Sequence, residues 1–306
     1  MRVLLLGGKG YIGSRLHPYL AAKGYTVTSY DLCWFGDHTT STYVYKDYNQ
    51  IAVSQLTTYD AVVLLAAHSS VKMCVGNYQS SFNNNVRNFM SLLNKLEKTD
   101  HQLKLIYASS SSVYGNTQDK LADESQKEFV CVNNYDLTKY VVDQYMLNNN
   151  PIDQWYGLRF GTVNGYSKNF RNELMVNSMT KCAIETDEIQ ISNKHIHRAI
   201  LDIEDLCAAV DQILKLGTKE NSGVYNINSF NNTVEEIANE VAALTGAKII
   251  DNGNVGNPYD FMISNQKFAN IFDFKFTGSI KRIVKEIKTN YGNVVSSNRD
   301  KAVHYE

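Results

Sequence analysis

The sequence predicts an α/β protein in which a doubly wound, mostly parallel sheet carries helices on both faces. Short apolar runs alternate with helical patterns, a glycine-rich turn follows the first run, and serines follow a later one. Buried parallel strands read as short, unalternating apolar runs, and helices supply their crossovers. With 306 residues the chain exceeds the usual size of one hydrophobic core, so a smaller second lobe is also expected.

The first half of the chain supplies most of the predicted sheet. Gly24 closes the first predicted helix, whereas Pro18 within that helix removes a hydrogen bond and is expected to kink it. Strands are predicted at 2–7, 25–30, 60–67, 103–108 and 155–160, and helices at 11–23, 78–98 and 135–147.

The alternation of strands and helices loosens in the second half. Thr233 and Glu236 form a capping box that opens a helix running to Gly246. Residues 1–162 are expected to form the main domain, and residues 163–306 most of a smaller, partly interleaved C-terminal lobe. Strand-like runs at 199–203 and 224–227 predict that the main domain also takes 196–229.

The turn after the first strand reads GGKGYIG, residues 7–13. Gly7 permits a tight turn, Gly10 lets a pyrophosphate approach the backbone, and Gly13 lets the helix pack closely. The helix N-terminus, which includes Tyr11 and Ile12, offers amides and a positive dipole end to phosphates. This arrangement of strand, glycines and helix predicts a Rossmann-type dinucleotide site.

Asp31 ends the next predicted strand, close to the spacing at which a carboxylate holds the adenosine ribose hydroxyls. Its charge would repel a 2′-phosphate, and no arginine follows it directly, so NAD is predicted rather than NADP. The alternative is an ordinary solvated carboxylate at the end of a strand.

Tyr135 and Lys139 form a YxxxK motif at the start of a predicted helix. Their i, i+4 spacing places both side chains on one face. A nearby cation favours the phenolate and is expected to lower the tyrosine pKa, and a phenolate can take a proton from an alcohol. The motif lies one element after the strand that ends in the serines at 109–112.

Composition narrows the classes of protein. A net charge of −1 gives no basic excess for nucleic acid, and no apolar run approaches a membrane span. The first apolar run ends in glycines, which favours a strand over a signal peptide. Five scattered cysteines fit free thiols in a cytoplasmic protein. His195 and His197 lack an acidic or cysteine cluster, so no metal is predicted.

Together these motifs resemble the extended short-chain dehydrogenase/reductases, in the branch of NAD-dependent sugar epimerases and dehydratases. The resemblance covers nearly the whole chain. Besides Asp31, its motifs are GGKGYIG (7–13), LLAAH (64–68), FNNNV (82–86), YASSSSVYG (107–115), YDLTK (135–139), LRFGTVNG (158–165) and VYNINS (224–229).

The resemblance implies a catalytic set. Ser110, three residues before the VYG of this motif, would hydrogen-bond the reacting oxygen. Tyr135 would be the acid/base. Lys139 would bind the nicotinamide ribose and tune Tyr135.

The resemblance also implies cofactor contacts for NAD. Asp47 would contact adenine, and Ala66, Ala67 and His68 would lie beside the cofactor phosphates and ribose. Asn85 matches an asparagine beneath the cofactor, with a capping or surface amide as the alternative.

The implied substrate is a nucleotide-diphosphate sugar. Ser111, Thr162, Asn177 and Arg198 match positions that contact it, whereas the stretch 252–260 lacks the phosphate-binding arginine of 4-epimerases, and Thr162 replaces their asparagine. Arg171 is another nearby cation, for which a solvated helix face is the preferred interpretation.

Departures from the family narrow the predicted reaction. Ser111 and Ser112 stand where 4,6-dehydratases have Asp-Glu, so dehydration is disfavoured. The cysteine and histidine of GDP-fucose synthases are also missing at the positions equivalent to Ser112 and near Ser167.

Three functions stay open. The first is a 4-epimerase that acts by reversible hydride transfer. The second is a net NAD(H)-dependent ketoreductase or dehydrogenase of a keto-sugar. The third is a catalytically idle NAD-binding regulatory protein, against which the intact Ser110, Tyr135 and Lys139 count.

A homodimer is expected. In relatives the helices equivalent to 78–98 and 135–147 pair with their copies. Apolar residues at helical spacing mark these faces: Phe82, Val86, Phe89, Met90, Leu93, Leu137, Tyr140, Val141 and Tyr145. The alternative is that the same faces simply cover the sheet.

Overall fold

The computed structural model describes residues 1–99, 103–117 and 120–296. Most strands are short and apolar, as expected of buried parallel strands. In chain order they are β1 (Arg2–Leu6), β2 (Thr26–Asp31), β3 (Tyr43–Tyr45), β4 (Ala61–Leu64), β5 (Lys104–Ser110), β6 (Leu121–Ala122), β7 (Trp155–Phe160), β8 (Thr162–Asn164), β9 (Asn169–Phe170), β10 (Glu188–Ile191), β11 (His197–Asp202), β12 (Gly223–Ile227), β13 (Phe230–Thr233), β14 (Lys248–Asp251), β15 (Met262–Ile263) and β16 (Val295–Ser296).

The central sheet has seven strands in the order β12-β7-β5-β4-β1-β2-β3, and every neighbouring pair is parallel. The strand order runs outward in both directions from the neighbours β1 and β4. In such a doubly wound sheet a crevice opens at the carboxyl ends of these two strands. This topology confirms the predicted Rossmann-type fold class.

Helices cover both faces of the central sheet, and further helices pack in the C-terminal part of the chain. They are α1 (Tyr11–Ala22), α2 (Val53–Leu56), α3 (Val71–Cys74), α4 (Tyr78–Phe82), α5 (Asn88–Leu96), α6 (Asn134–Asn149), α7 (Met175–Thr186), α8 (Ile203–Leu216), α9 (Val234–Thr245), α10 (Gln266–Ile271) and α11 (Ile280–Asn290).

Successive residues of β1 point to opposite faces of the sheet. Val3 and Leu5 belong to the core formed with α1 and α8, and Leu4 and Leu6 belong to the core formed with α5 and α6. All four are fully buried, which stabilises the fold by about 1.5–3 kcal/mol for each side chain. These two cores fix the end of β1, and with it the glycine-rich turn.

A third core lies in the C-terminal part of the chain. It joins α7, α9 and α11 to the parallel pair β10-β14. Thr233 caps α9 with Glu236 as predicted, and Gly246 ends the helix in the left-handed conformation.

The interleaving of the two halves differs in part from the prediction. Strand β12, which contains the predicted 224–227 run, joins the central sheet beside β7. Strand β11, predicted at 199–203, does not: it pairs with β8 and β13 in a separate three-stranded sheet. The chain continues from β7 into β8 through Gly161, and β8 provides the edge that β11 takes. The boundary at 162/163 stays a prediction.

The long helix predicted at 78–98 consists of three consecutive segments. A π-helical turn, Asn83–Arg87, separates α4 from α5. Such turns are frequent at functional sites. Helix α1 continues through Pro18, which lies on the exposed side of the helix.

The apolar faces of these helices point mainly inward. Val86, Phe89 and Leu93 are buried in the core under the sheet, so their expected place in a dimer interface is wrong. Phe82 and Leu137 are exposed. Within the described part of the chain, none of the helices is both long and apolar enough to span a membrane.

Candidate active site

A cavity of about 490 Å³ lies at the carboxyl ends of β1, β2 and β4. This is the crevice that the sheet topology predicts. The residues around it include ten of the twelve predicted cofactor positions: Gly7, Gly10, Tyr11, Ile12, Gly13, Asp31, Asp47, Ala66, Ala67 and His68. The other two, Asn85 and Lys139, line a hollow of about 20 Å³ that also includes Ala66 and Ala67.

Close contacts around the turn leave no room for a side chain at Gly7 or Gly13. Gly7 has a φ of +93°, and a Cβ there would lie 2.7 Å from the Ala66 nitrogen. A Cβ on Gly13 would lie 2.1 Å from the Gly7 oxygen. At Gly10 a Cβ would meet the Gly7 oxygen alone, at 3.4 Å, so this position is open toward the cavity. The turn is therefore a cradle that a side chain at position 10 would fill.

Asp31 is tied to the glycine-rich turn. Its carboxylate accepts hydrogen bonds from the backbone N–H groups of Lys9 (2.8 Å) and Cys33 (2.6 Å). Burial raises its pKa, and these backbone bonds act in the opposite direction. The alternative of an ordinary solvated strand end is wrong, because the carboxylate is held at the cavity wall.

Lys9 was not predicted as a site residue. Its side chain is buried, and Nζ donates to the Thr39 Oγ1 at 2.9 Å and the Ser41 oxygen at 2.7 Å. Nζ also lies 2.6 Å from the Asp37 carboxylate. Lys9 thus fastens the segment after β2 to the glycine-rich turn. A lysine between glycines gives no sequence signal of this burial.

Asn85 lies in the π-helical turn and is buried. Its Oδ1 accepts from the His68 N–H at 2.8 Å, and its Nδ2 donates to the Thr138 Oγ1 at 3.0 Å. The alternative of a surface amide is therefore wrong. Asn85 connects the loop after β4 to α6, the helix that carries the YxxxK motif.

His68 and Asp47 have different environments. Burial lowers the pKa of His68, whose Nδ1 lies 3.0 Å from the Ser81 Oγ. Asp47 caps the 3₁₀ turn Tyr48–Gln50 by accepting from the Asn49 N–H. The first side chain is enclosed in the wall, whereas the second is partly exposed in the cavity.

The three predicted catalytic residues come together. Ser110 ends β5, and Tyr135 lies in the first turn of α6, where the Ser110 hydroxyl acts to lower the pKa of the Tyr135 phenol. One turn later, the Lys139 Nζ donates to the Ala108 oxygen at 2.8 Å and lies 5.8 Å from the centre of the Tyr135 ring. The carboxyl end of β5 and the start of α6 thus bring a hydroxyl, a phenol and an ammonium together.

The pKa values in this set are shifted by burial. Burial lowers the pKa of Lys139 to about 8 and raises the pKa of Tyr135 to about 12. The expectation of a lowered tyrosine pKa is wrong for the polypeptide alone. Loss of water around the phenol outweighs the Ser110 hydrogen bond and the charge of Arg171, which lower this pKa.

The residues predicted to contact substrate are divided between core and surface. The Ser111 hydroxyl donates to the Phe160 oxygen at 2.7 Å and is buried, whereas Thr162 is partly exposed in β8. Both N–H groups of the buried Asn177 amide are used within the protein, on the Tyr11 hydroxyl and the Arg171 oxygen. Their contacts with substrate stay predictions.

Arg198 has an incompletely paired guanidinium. Nη1 donates to the Tyr259 oxygen at 3.2 Å, and the group lies 5.8 Å from the Phe261 ring centre. Its Nε is buried and has no hydrogen-bond partner among the residues that the structure describes. Burial lowers its pKa. An unpaired donor of this kind fits an anionic ligand.

Arg171 does not lie on a solvated helix face, because α7 begins only at Met175. It follows β9, and its Nε lies 2.6 Å from the Glu173 carboxylate. Its side chain lines the cavity and lowers the pKa of Tyr135. The preferred interpretation from the sequence is therefore wrong.

The histidines at 195 and 197 do not belong to a metal cluster in the described residues. No group of three or more His, Cys, Asp and Glu side chains is arranged there to hold a metal ion. The Nδ1 of His197 lies 3.3 Å from the Asp260 carboxylate.

A doubly wound sheet, a glycine cradle and a Ser-Tyr-Lys set beside it define a dinucleotide-dependent enzyme. Residues 3–228 match the model of the NAD dependent epimerase/dehydratase family. The chain therefore belongs to this family, and NAD is its cofactor.

Several characterised proteins are similar in sequence. Protein CapI of Staphylococcus aureus is 28% identical over 70% of this chain and 70% of its own length. UDP-glucose 4-epimerase of Lactobacillus helveticus is 29% identical over 55% of this chain and 53% of its own length. CDP-paratose 2-epimerase of Salmonella typhi is 25% identical over 48% of this chain. The matched part of this chain spans about half the length of each epimerase: 52% of the CDP-paratose 2-epimerase and 53% of the UDP-glucose 4-epimerase.

Solved structures share the fold. MoeE5 in complex with UDP-glucuronic acid and NAD has a TM-score of 0.82 at 20% identity, covering 96% of this chain and all of that one. UDP-glucuronic acid 4-epimerase of Bacillus cereus, also in complex with UDP-glucuronic acid and NAD, has a TM-score of 0.78 at 22% identity. The match covers 94% of this chain and 97% of that one.

Proposed function

We propose that the protein is an NAD-dependent epimerase that inverts the 4-hydroxyl of a nucleotide-diphosphate sugar by reversible hydride transfer. The observation that carries this proposal is the meeting of Ser110, Tyr135 and Lys139 at the carboxyl end of β5.

The cavity has the features that NAD requires. The open backbone at Gly10 and the amides of Tyr11 and Ile12 would hold the pyrophosphate. Asp31, fixed by two backbone amides, would accept hydrogen bonds from the adenosine ribose. Asp47 would lie near adenine.

Three further cofactor positions, Ala66, Ala67 and His68, form the wall on the side of β4. When bound, NAD supplies the hydride acceptor and donor.

The protein's own residues move the proton. The Tyr135 phenolate would take the proton of the sugar 4-hydroxyl as the carbon loses its hydride, which leaves a 4-keto sugar. Ser110 would hydrogen-bond the same oxygen, and the Lys139 ammonium would favour the phenolate. Tyr135 would then give the proton back to the 4-oxygen as hydride returns to the opposite face, which would yield the 4-epimer.

Arg198 supports a diphosphate in the substrate. Its unpaired, buried Nε is a donor that an anion would satisfy. The similarity to a UDP-glucose 4-epimerase favours a uridine nucleotide. We assign Ser111, Thr162 and Asn177 to the substrate side as well.

A net ketoreductase is the second candidate. It is favoured by two sequence departures from the 4-epimerases, Thr162 and the lack of arginine at 252–260.

The test is to incubate the protein and NAD with UDP-glucose, UDP-galactose or UDP-glucuronic acid and to identify products by NMR. A 4-epimer formed by wild type and not by Tyr135→Phe supports the proposal. Net accumulation of reduced cofactor together with a keto-sugar supports the ketoreductase, which would run in its oxidative direction under these conditions. No reaction with any sugar nucleotide supports an idle protein.

A further inference from the structure

The Arg198 guanidinium is held by residues of the segment 259–261. Its Nη1 donates to the Tyr259 carbonyl oxygen at 3.2 Å, and its central carbon lies 5.8 Å from the centre of the Phe261 ring. Its Nε is buried and has no hydrogen-bond partner in the described part of the chain. The protein therefore fixes one side of the guanidinium and leaves a buried donor over for an anion.

The side chain of Tyr259 reaches the start of α6. Its hydroxyl donates to the Asp136 Oδ2 and accepts from the Asn133 Nδ2, and these are its hydrogen bonds among the described residues. Asn133 caps α6 by accepting from the Asp136 N–H at 3.0 Å. Because Tyr135 lies between these two residues in the chain, Tyr259 is attached to the helical turn that carries the proposed acid/base.

The carboxylate that receives the Tyr259 hydroxyl is itself fixed. Asp136 is fully buried. Its Oδ2 also accepts from the Asn133 Nδ2 at 2.9 Å, and its Oδ1 accepts from the Ser112 Oγ at 2.6 Å. Ser112 follows the end of β5. The hydroxyl of Tyr259 is thus anchored both to the start of α6 and to the end of β5.

Other contacts hold the backbone next to Tyr259. The His197 N–H donates to the Asp260 Oδ1 at 2.7 Å, and the Asp260 N–H donates to the Asn116 Oδ1 at 2.9 Å. The Thr117 N–H donates to the Asp260 oxygen at 3.0 Å. Loss of the Tyr259 hydroxyl should therefore loosen the Tyr259 carbonyl without unfolding the segment.

We propose that Tyr259 is a positioning residue for the substrate diphosphate, because its hydroxyl is anchored to the start of α6 while its carbonyl presents the Arg198 guanidinium to the anion. This inference rests on the proposed function, in which Arg198 binds the diphosphate. Tyr259 touches neither sugar nor cofactor in this scheme and acts through Arg198. The diphosphate is thereby held at a fixed separation from Tyr135.

The position of Tyr259 shows what replaces an arginine in this part of the site. The stretch 252–260, which includes Tyr259, contains no arginine. It contributes a carbonyl acceptor and an anchor instead of a further cation. Binding of the diphosphate then depends on how firmly the Arg198 guanidinium is held, since a donor that is already ordered loses less entropy when the ligand binds.

The first test is Tyr259→Phe, which removes the hydroxyl and keeps the ring. Calorimetric titration of UDP into NAD-saturated protein should show binding weakened about three- to tenfold, the scale of one lost hydrogen bond, with the affinity for NAD unchanged. For the sugar nucleotide that wild type converts, KM should rise by the same factor at unchanged kcat, because ground state and transition state lose the same contact. A purely structural role would instead lower the melting temperature and leave the affinity for UDP unchanged.

A double-mutant cycle tests whether Tyr259 acts through Arg198. Arg198→Met removes the guanidinium and should weaken UDP binding about 10- to 100-fold. In that background Tyr259→Phe should have no further effect on the affinity for UDP, because the group that it positions is gone. Arg198→Leu serves the same purpose if the methionine variant does not fold.

Tyr25→Phe is a matched control. The Tyr25 hydroxyl also donates to an aspartate, the Asp211 Oδ1, at 2.8 Å. This contact joins the residue before β2 to α8, so its loss should leave the affinity for UDP at the wild-type value. Equal losses of affinity in Tyr25→Phe and Tyr259→Phe would show a general loosening of the fold and would overturn the assignment.

Two further results would overturn it. One is an unchanged affinity for UDP in Tyr259→Phe, and the other is the same loss in the Arg198→Met background as in wild type. Failure of the proposed function has a different signature: wild type would bind none of UDP, dTDP, CDP, GDP and ADP, and this inference would fall with it. If wild type binds another of these more tightly than UDP, that nucleotide is the probe in every titration.

Discussion

The carboxylate of Asp143, which lies in α6, and the guanidinium of Arg159 form a buried ion pair. The Arg159 Nε lies 2.8 Å from the Asp143 Oδ2, and both side chains are almost completely inaccessible to water. The Ser109 and Tyr107 hydroxyls also donate to this carboxylate. The negative charge of Asp143 raises the pKa of Lys139, against the effect of burial. The ion pair thus links the stability of the core to the charge of Lys139.

We expect Asp143→Asn to destabilise the protein by about 3–5 kcal/mol, because it leaves the Arg159 charge buried without its partner. The free energy of unfolding in urea measures this. Lys215→Met is a suitable control, since it breaks the half-exposed pair with Asp211 and should cost less than about 1 kcal/mol. Equal losses of unfolding free energy in the two variants would show that burial does not make the Asp143–Arg159 pair more important for stability than the half-exposed pair.

Cofactor choice depends on Asp31. Its carboxylate is fixed at the cavity wall by the amides of Lys9 and Cys33, so a 2′-phosphate would meet a like charge that cannot move away. Such contacts cost several kcal/mol, which predicts binding of NAD at least about 100-fold tighter than NADP. Calorimetric titration measures both affinities. Asp31→Asn should reduce the ratio, and NADP binding as tight as NAD in the wild type would contradict the assignment.

Lys139 gives the protein a pH-dependent stability. Its folded pKa of about 8 lies below the ordinary 10.5, so the unfolded chain binds more protons between these values. Stability must then rise with pH across this window. Relative to Lys139→Met, the wild type should gain roughly 3 kcal/mol from pH 7 to pH 10.5, at about 1.4 kcal/mol for each pKa unit. Denaturant unfolding at several pH values tests this, and a constant difference between the two proteins would refute it.

Local patterns predicted the parts of the site that depend on consecutive residues. The shape of the glycine-rich turn depends on the backbone conformation of seven consecutive residues, 7–13. The pairing of Tyr135 with Lys139 follows from one helical turn. These features are short-range, and the sequence alone contains their geometry.

Other parts of the site depend on contacts between distant segments. Arg171 enters the cavity because the chain leaves β9 without forming a helix there. Lys9 is buried by the segment at 37–41, and Asp136 is enclosed by Tyr259, which is far away in sequence. Helical periodicity also does not show which apolar face meets the sheet, so Val86 and Phe89 were placed at a dimer interface instead of in the core.

We propose a homodimer, with α4 and α6 at its interface. Tyr78, Phe82 and Leu137 are 68%, 44% and 43% exposed, and they surround a surface hollow of about 340 Å³ between these helices. Burial of such a patch against a second copy would stabilise a twofold assembly. Light scattering should show a dimer at micromolar concentration, and Phe82→Glu should shift it to a monomer. A monomeric wild type would reject the proposal.

The last prediction concerns the acid/base itself. Tyr135→Phe removes only the phenolic oxygen, so the ring keeps its packing and NAD should still bind. Turnover should fall by about 10²–10⁴, the usual worth of general acid–base catalysis, as measured by NMR of the sugar nucleotide.

Ser110→Ala should be milder, because it removes a hydrogen bond but leaves the phenol. Lys139→Met should weaken cofactor binding as well as turnover, since we assign the ammonium to both. In the same reactions, which supply NAD, a 4-epimerase should show no net change in the nicotinamide absorbance, whereas a ketoreductase running in its oxidative direction should form reduced cofactor in proportion to the keto-sugar. Equal rates for wild type and Tyr135→Phe would exclude the Ser-Tyr-Lys mechanism, whichever of the two reactions is observed.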